Sequence, residues 1–408
     1  MRCGLIGRRL SHSYSPEIHA LLGDYDYKLI ELEPEQVESF LRTGAFDALN
    51  VTIPYKMTAL RCCDELSPLA REVGSVNTLL RRKDGTLYGT NTDCDGFRFL
   101  LRQLKLSPRG KKALVLGSGG AAAAVRAVLQ DEEAASVVTV SRSGPVDYRS
   151  VYEHHPDAAL IVNATPVGMA PDVGRSLIDP SRFPSLEAVA DLIYNPSKTR
   201  LLLDAEAIGV PCVNGLGMLV AQAKASSELF TGETIPDERI PEIAGRIERR
   251  MKNLFLIGMP GSGKSTVGRL ISERTGRPFA DLDFEIERAA GRSCAELIET
   301  DGEACFRSLE TAALAALSAR SGLVVACGGG VVTRPENLVC MRQNGTVVWL
   351  RRELALLPSE GRPLSRTLGA EELYRQREPL YRKAAEYFTD NAGTPEQTAE
   401  QIIRELKL

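Results

Sequence analysis

Leu254-Phe-Leu-Ile-Gly258-Met-Pro-Gly-Ser-Gly263-Lys264-Ser265-Thr266 is an apolar run that opens into a glycine turn, and Val267–Arg274 behind it reads as a helix. The turn fits G-x-x-x-x-G-K-[ST], and strand before and helix after are the context that separates a phosphate loop from a chance glycine turn. Glycines let successive backbone amides face inward around an anion. Lys264 adds a point charge, and the Ser265 hydroxyl suits Mg2+. Gly261, Ser262, Gly263, Lys264, Ser265 and Thr266 are therefore expected to hold the phosphates of a nucleotide. Such a loop identifies a nucleotide and leaves the acceptor open.

The same strand, glycine turn and helix grammar recurs outward from this point. Ala113–Leu116, Val137–Val140, Leu160–Val162, Val324–Ala326 and Val347–Leu350 are short β-branched runs followed by glycine turns and alanine- or leucine-rich segments, which predicts α/β structure with parallel sheets. At 408 residues the chain exceeds what one core supports, given roughly 100–200 residues per domain. A polar stretch with two prolines and helically spaced charges, Gly232–Arg250, precedes the fresh strand after Met251 and marks the main boundary. The reading divides the chain into 1–100, 101–235 with a return to the first domain near 215–235, a linker at 236–250, and 251–408.

Composition excludes several classes. A net charge of −3 gives no electrostatic case for nucleic acid or anionic membrane. No apolar run is long enough for a transmembrane helix, and MRCGLIGRRLSHSYS lacks a signal-peptide core, so the expected location is the cytoplasm. The nine cysteines are scattered and, with His12, His19, His154 and His155, form no zinc-ligand spacing; they are expected as reduced, mostly core thiols. His12 and His19 receive no role, and the single tryptophan, Trp349, is expected in the core.

Downstream of the loop come Asp281-Leu-Asp283, placed where a second strand would end, then Asp301-Gly-Glu-Ala-Cys-Phe-Arg307-Ser-Leu-Glu310, Gly328-Gly-Gly330, Gly361-Arg362-Pro363-Leu364 and Arg377-Glu-Pro-Leu-Tyr381. Through these ordered motifs, residues 251–408 resemble shikimate kinase. The resemblance implies a P-loop nucleoside-monophosphate-kinase-like α/β domain using ATP and Mg2+, with Ser265 and Asp281 toward the metal. Asp283 would contact the shikimate hydroxyls and act as base. Arg307 and Arg377 would hold the carboxylate, Gly329 and Gly330 would approach the ring, Glu310 would orient Arg307, and Arg362 would reach the phosphates from a closing lid. Two arginines suit a planar carboxylate, and phosphoryl transfer needs the charge neutralisation that Lys264, Arg362 and Mg2+ supply. A lone arginine here would read as a solvated surface charge. The chain departs from the family at Ala355–Glu360, where the family offers an arginine to stack on adenine.

In the first half, Gly117-Ser-Gly119-Gly120-Ala121-Ala122 follows the strand Ala113–Leu116 and opens an alanine-rich helix, matching G-x-G-x-x-[GA]. The next strand ends in Ser141-Arg142-Ser143, about 20 residues on, where an NAD-binding protein carries an acid for the ribose hydroxyls. A cation and two hydroxyls suit a 2′-phosphate, which predicts NADPH rather than NADH.

Upstream lie Ser11-His-Ser13-Tyr-Ser15-Pro16, Asn50-Val-Thr52-Ile-Pro54-Tyr-Lys56, Ser75-Val-Asn77-Thr78 and Asn91-Thr92-Asp93. Downstream lie Asn163-Ala-Thr-Pro-Val-Gly168 and Asn214-Gly215-Leu-Gly217-Met218-Leu-Val-Ala-Gln222. In this order they resemble shikimate dehydrogenase over nearly all of 1–245, implying an α/β substrate domain plus a Rossmann-type NADP-binding domain. The resemblance assigns Ser13, Ser15 and Tyr194 to the substrate carboxylate, and Asn77, Thr52, Asp93 and Gln222 to ring hydroxyls. It assigns Gly215 and Met218 to the nicotinamide end of the cofactor, and Lys56 with Asp93 to catalysis. Hydride arriving at the C3 carbonyl leaves an alkoxide that needs a cationic proton donor, and Lys56 is the candidate in these motifs. Otherwise it would be an exposed lysine in a surface ion pair.

Together the resemblances imply a bifunctional enzyme that reduces 3-dehydroshikimate to shikimate and phosphorylates it to shikimate 3-phosphate, with small molecules as partners and a homo-oligomer left open. One rival keeps both folds and changes substrates, to quinate with NAD or to another polyol acid. Another is a binding protein with one dead half, against which Lys56, Asp93, Lys264, Ser265 and Asp283 are all in place.

Overall fold

The computed structural model describes residues 1–10, 13–356 and 369–408. The chain divides into two compact units: Met1–Gly168, Gly174–Tyr194 and Thr199–Ile247 form one, and Met169–Val173, Asn195–Lys198 and Glu248–Leu408 form the other.

The first unit holds two sheets. β1 (Arg2–Gly7), β2 (Asp26–Glu31), β3 (Ala48–Val51), β4 (Glu65–Leu66), β5 (Thr78–Arg81) and β6 (Leu87–Thr90) are arranged β2-β1-β3-β5-β6-β4. β5 alone runs against both its neighbours, in a register that pairs Asn50 with Thr78 and Thr78 with Thr90. That register gathers the ends carrying Asn77 and Asn91 on one side of the sheet. Ile6, Leu49, Val51, Val76 and Leu79 fill the core beneath them. The helix Leu216–Thr231 packs along the helix Asp93–Gln103 so closely that a Cβ on Gly96 would lie 2.7 Å from the carbonyl oxygen of Met218. Glycine is required by that approach.

β7 (Lys112–Leu116), β8 (Ser136–Val140), β9 (Leu160–Asn163), β10 (Ala188–Asp191) and β11 (Cys212–Val213) form an all-parallel sheet ordered β11-β10-β9-β7-β8. Strand order reverses at β7, and the crevice beyond its carboxyl end is where an open parallel sheet binds ligands. From Arg239 the stretch expected as a linker is a helix, Arg239–Met251. Its Ile240, Ile243 and Ile247 recur at helical spacing and are buried.

The second unit is built on β12 (Asn253–Ile257), β13 (Phe279–Asp281), β14 (Val324–Ala326), β15 (Gly345–Arg351) and β16 (Tyr387–Asp390), all parallel in the order β13-β14-β12-β15-β16. Period-2 alternation sends Phe255, Ile257, Val325, Val347 and Trp349 to one apolar layer and Leu254, Leu256, Val324, Val348 and Leu350 to the other. Trp349 is in the core as expected, stacked on Tyr381 with ring centroids 5.8 Å apart. β12 is the switch point of this sheet, so its glycine loop opens into the crevice. No helix among the described residues is long and apolar enough to cross a membrane.

Candidate active sites

In the first unit, Lys56 begins the helix Lys56–Cys62 and Asp93 begins the helix Asp93–Gln103. A carboxylate in a first helical turn is favoured by the unpaired amides there. Lys56 Nζ lies 2.5 Å from Asp93 Oδ2, and both side chains are largely buried. The other oxygen, Asp93 Oδ1, accepts from Asn77 Nδ2 at 2.8 Å, while Asn77 Oδ1 accepts the Thr92 amide at 2.7 Å. Asn91, which received no role from the sequence, accepts the Asp93 amide at 3.0 Å and donates to the Ser75 carbonyl at 3.0 Å. The carboxylate is thus held from both ends. The pair also borders the glycine loop, since Lys56 Cδ lies 3.8 Å from where a Cβ on Gly120 would be.

Around this centre the other expected residues fall as follows. Ser13 Oγ donates to Ser15 Oγ at 3.1 Å and accepts the Ser15 amide at 3.2 Å. The rings of Tyr14 and Tyr194 meet edge-on at 6.4 Å, and burial raises the Tyr194 hydroxyl above its usual range. Thr52 is half-buried after β3, and its amide donates to Ile6. Gln222 lies against Gly96, one turn from Asp93, with its amide nitrogen donating to Leu219 O at 2.8 Å on its own helix. His12 lies outside the described residues. His19 is buried under Tyr27 with its pKa pushed down to about 3 by burial, which leaves it neutral and remote from acid–base work.

Gly117 has φ +103°, and a Cβ there would meet Thr165 Cγ2 at 2.8 Å; around Gly119 there is open space. The helix Gly120–Asp131 directs its first amides into that space, with Ala121 in its first turn. Ser141 is buried beyond β8, whereas Arg142 and Ser143 are exposed and Arg142 forms no ion pair among the described residues. Gly215 accepts no side chain: a Cβ would fall 2.0 Å from Leu192 O. Met218 is buried in the helix that follows.

In the second unit, Gly258, Gly261 and Gly263 have φ values of +143°, +83° and +93°, the left-handed region that glycine enters without strain. The turn they make brings Lys264 Nζ within 3.0 Å of Gly258 O and 2.9 Å of Met259 O. Asn391, missed from the sequence, braces the loop by donating to Ser262 O at 2.7 Å. Its only signal was an asparagine directly after a strand. Ser265 Oγ donates to Asp281 Oδ2 at 2.6 Å, two hard oxygen donors that fit a magnesium ion which keeps most of its water.

Lys264, Ser265, Asp281, Asp283, Arg307 and Arg377 share one cleft of about 590 Å3, which Gly328, Gly329 and Gly330 also line. Added Cβ atoms show why glycines are needed: at Gly330 one would lie 2.2 Å from Arg307 Nη2, and at Gly328 one would lie 2.7 Å from Glu310 Oε1 and 2.8 Å from Asp283 Oδ1. Fully buried Glu310 accepts from Arg307 Nη1 at 2.8 Å, and Glu303 holds the same guanidinium at 3.1 Å. Burial, reinforced by neighbouring Asp281, raises the Asp283 carboxyl above its ordinary value. The Tyr381 hydroxyl donates to Gly329 O and fixes the glycine run from behind. Arg362 lies outside the described residues.

Compared with known proteins, the chain is 38% identical over 271 residues to the shikimate dehydrogenase (NADP(+)) of Methanopyrus kandleri, an alignment covering 59% of this chain and 93% of that one. The chain belongs to the shikimate dehydrogenase family. The family model described as the shikimate dehydrogenase substrate binding domain matches residues 5–79, and the model for shikimate kinase matches residues 260–407, so the chain carries both a dehydrogenase and a kinase domain. A solved chorismate mutase/shikimate 5-dehydrogenase fusion protein from Clostridium acetobutylicum is similar at TM-score 0.57 and 36% identity, covering 60% of this chain and 96% of that one. Shikimate 5-dehydrogenase from Thermus thermophilus, solved with NADP(H) and shikimate, gives TM-score 0.55 and 33% identity over 60% and 99%. The fold class and both family resemblances read from the sequence therefore stand. The dehydrogenase unit places Lys56 and Asp93 beside its glycine loop, and the kinase unit gathers its expected residues, Ser262 and Arg362 apart, around one cleft.

Proposed function

We propose that this chain catalyses two consecutive reactions, NADPH-dependent reduction of 3-dehydroshikimate to shikimate and ATP-dependent phosphorylation of shikimate to shikimate 3-phosphate, in the cytoplasm. The observation that carries this is the presence of two constellations in one chain: Lys56 against Asp93 beside Gly120, and Lys264, Asp283, Arg307 and Arg377 around one cleft. Bound NADPH supplies the hydride, and ATP with Mg2+ supplies the phosphoryl group. The remaining work falls to the side chains.

Lys56 protonates the oxygen formed at C3 and Asp93 holds the ammonium in place. Ser13, Ser15 and Tyr194 take the substrate carboxylate; Thr52, Asn77 and Gln222 take ring hydroxyls. Gly117, Gly119, Gly120 and Ala121 carry the pyrophosphate on the helix terminus, Ser141, Arg142 and Ser143 the 2′-phosphate, and Gly215 and Met218 the nicotinamide end. In the kinase unit Arg307, oriented by Glu310, and Arg377 hold the carboxylate, with Gly329 and Gly330 against the ring. Asp283 takes the proton of the attacking hydroxyl, while Lys264 and Arg362 neutralise the phosphates.

The test is a two-stage assay of purified protein: 3-dehydroshikimate and NADPH first, then Mg-ATP. NADPH oxidation followed by shikimate-dependent ADP release is expected. Oxidation without ADP release would remove the kinase half of the reading, and higher kcat/KM with NADH or quinate would replace its cofactor or substrate.

A further inference from the structure

β15 runs beside β12 and ends level with the phosphate loop, because a Cβ on Gly258 would lie 2.5 Å from Leu350 O. Two arginines follow Leu350, and their surroundings differ. Arg351 is clamped by Asp390 at 2.8 and 2.7 Å and lies over the Phe388 ring at 4.6 Å. Arg352 instead lines the cleft that contains Lys264 and Ser265. Its Nε is closed off from solvent and has no hydrogen-bond partner among the described residues, nor does any described carboxylate pair with it. Asp281 is engaged by Ser265, and Glu310 by Arg307.

A half-buried guanidinium without a counter-charge bears a desolvation cost that a bound anion offsets. The carboxylate-binding arginines do not share its position: Arg307 lies against Gly330, whereas the backbone leading to Arg352 abuts Gly258 at the loop's entrance. We infer that Arg352 binds the polyphosphate of the nucleotide, beside Lys264. The inference rests on the kinase reading and adds to it a cation from the end of a rigid strand. Lys264 acts there as a point charge, whereas the planar fork of Arg352 can take two phosphate oxygens at once.

The test compares R352Q and R352K with the wild-type full chain, measuring KM for ATP and for shikimate and the affinity for ADP and adenosine. Trp349, the sole tryptophan and a residue of β15, reports whether this unit stays folded. R352Q is expected to weaken ATP and ADP by about 10- to 100-fold, the range for a hydrogen bond to a charged group, with adenosine and shikimate unaffected. R352K keeps a charge without the fork and loses less in the same direction; it decides the matter should R352Q alter Trp349 emission. Unchanged ADP affinity, equal weakening of adenosine, or a shift confined to shikimate KM would overturn the inference. ADP binding needs no acceptor, so it judges Arg352 even if the wild type fails to phosphorylate shikimate.

Discussion

Among the described residues Lys56 pairs with one carboxylate, Asp93 at 2.5 Å, and Asp93 has its second oxygen tied to Asn77. On the proposed mechanism, removing the ammonium leaves the rest of the substrate pocket in place and deletes the proton donor. Lys56→Ala is therefore expected to lower dehydrogenase kcat by about 100- to 10,000-fold, the usual span for a general acid, with little change in KM for 3-dehydroshikimate; retained turnover in a stopped-flow assay would take Lys56 out of the mechanism. Asp283, the proposed kinase base, differs in its surroundings. Asp283 is raised first by burial and then by Asp281, so it becomes protonated at a higher pH than an ordinary aspartate. A base works only when deprotonated. The acidic limb of kcat/KM for phosphorylation is thus expected above pH 3.8, the unperturbed value, and Asp283→Asn should abolish turnover while leaving NADPH oxidation untouched. A limb at or below that pH would contradict the role. Sequence motifs named Lys56, Asp93 and Asp283, since each sits in a short run of distinctive residues. Asn91 and Asn391 escaped a role because their work is done on backbone atoms, Asn391 on an amide carbonyl far away in the chain.

The ends of β9 and β10 show how an element's packing sets a charge. Asp191 closes β10, fully buried, and accepts from Thr199 Oγ1 at 2.6 Å, Asn163 Nδ2 at 2.9 Å and the Ile193 amide at 3.0 Å. Burial outweighs these bonds and pushes its pKa up to about 6. The folded chain then holds this proton more tightly than the unfolded one. Stability from the group is full below the unfolded value of 3.8 and declines as pH rises toward 6, by about 3 kcal/mol at most. Urea unfolding across that interval should show the decline, and Asp191→Asn should flatten it; a profile equally steep in the variant would assign the dependence to other groups. The strand runs at Ala113–Leu116 and Leu254–Ile257 were legible because central parallel strands are apolar on both faces. The helix Arg239–Met251 was read as linker because its charges masked three isoleucines at helical spacing.

Across the whole molecule, the product of the proposed first reaction is the acceptor of the second, yet covalent linkage raises effective concentration only for a tethered ligand, and shikimate is free. Phosphorylated product is therefore expected after a lag, and an added external kinase should compete for shikimate in proportion to its activity. A reaction without lag that resists the competitor would show direct transfer. By itself the sequence determined the α/β class, the two phosphate loops and the existence of two catalytic halves, because each depends on residues adjacent in the chain: an apolar run, a glycine turn, a helix start. Only the tertiary structure decided which atoms meet. Lys56 finds Asp93 through strand pairing and helix placement, Arg307 fits against Gly330 because a Cβ there is missing, and Arg352 lines the cleft of Lys264 because β15 ends beside Gly258. Such contacts join residues far apart in sequence, and the register and burial that create them exist only once the sheets have formed.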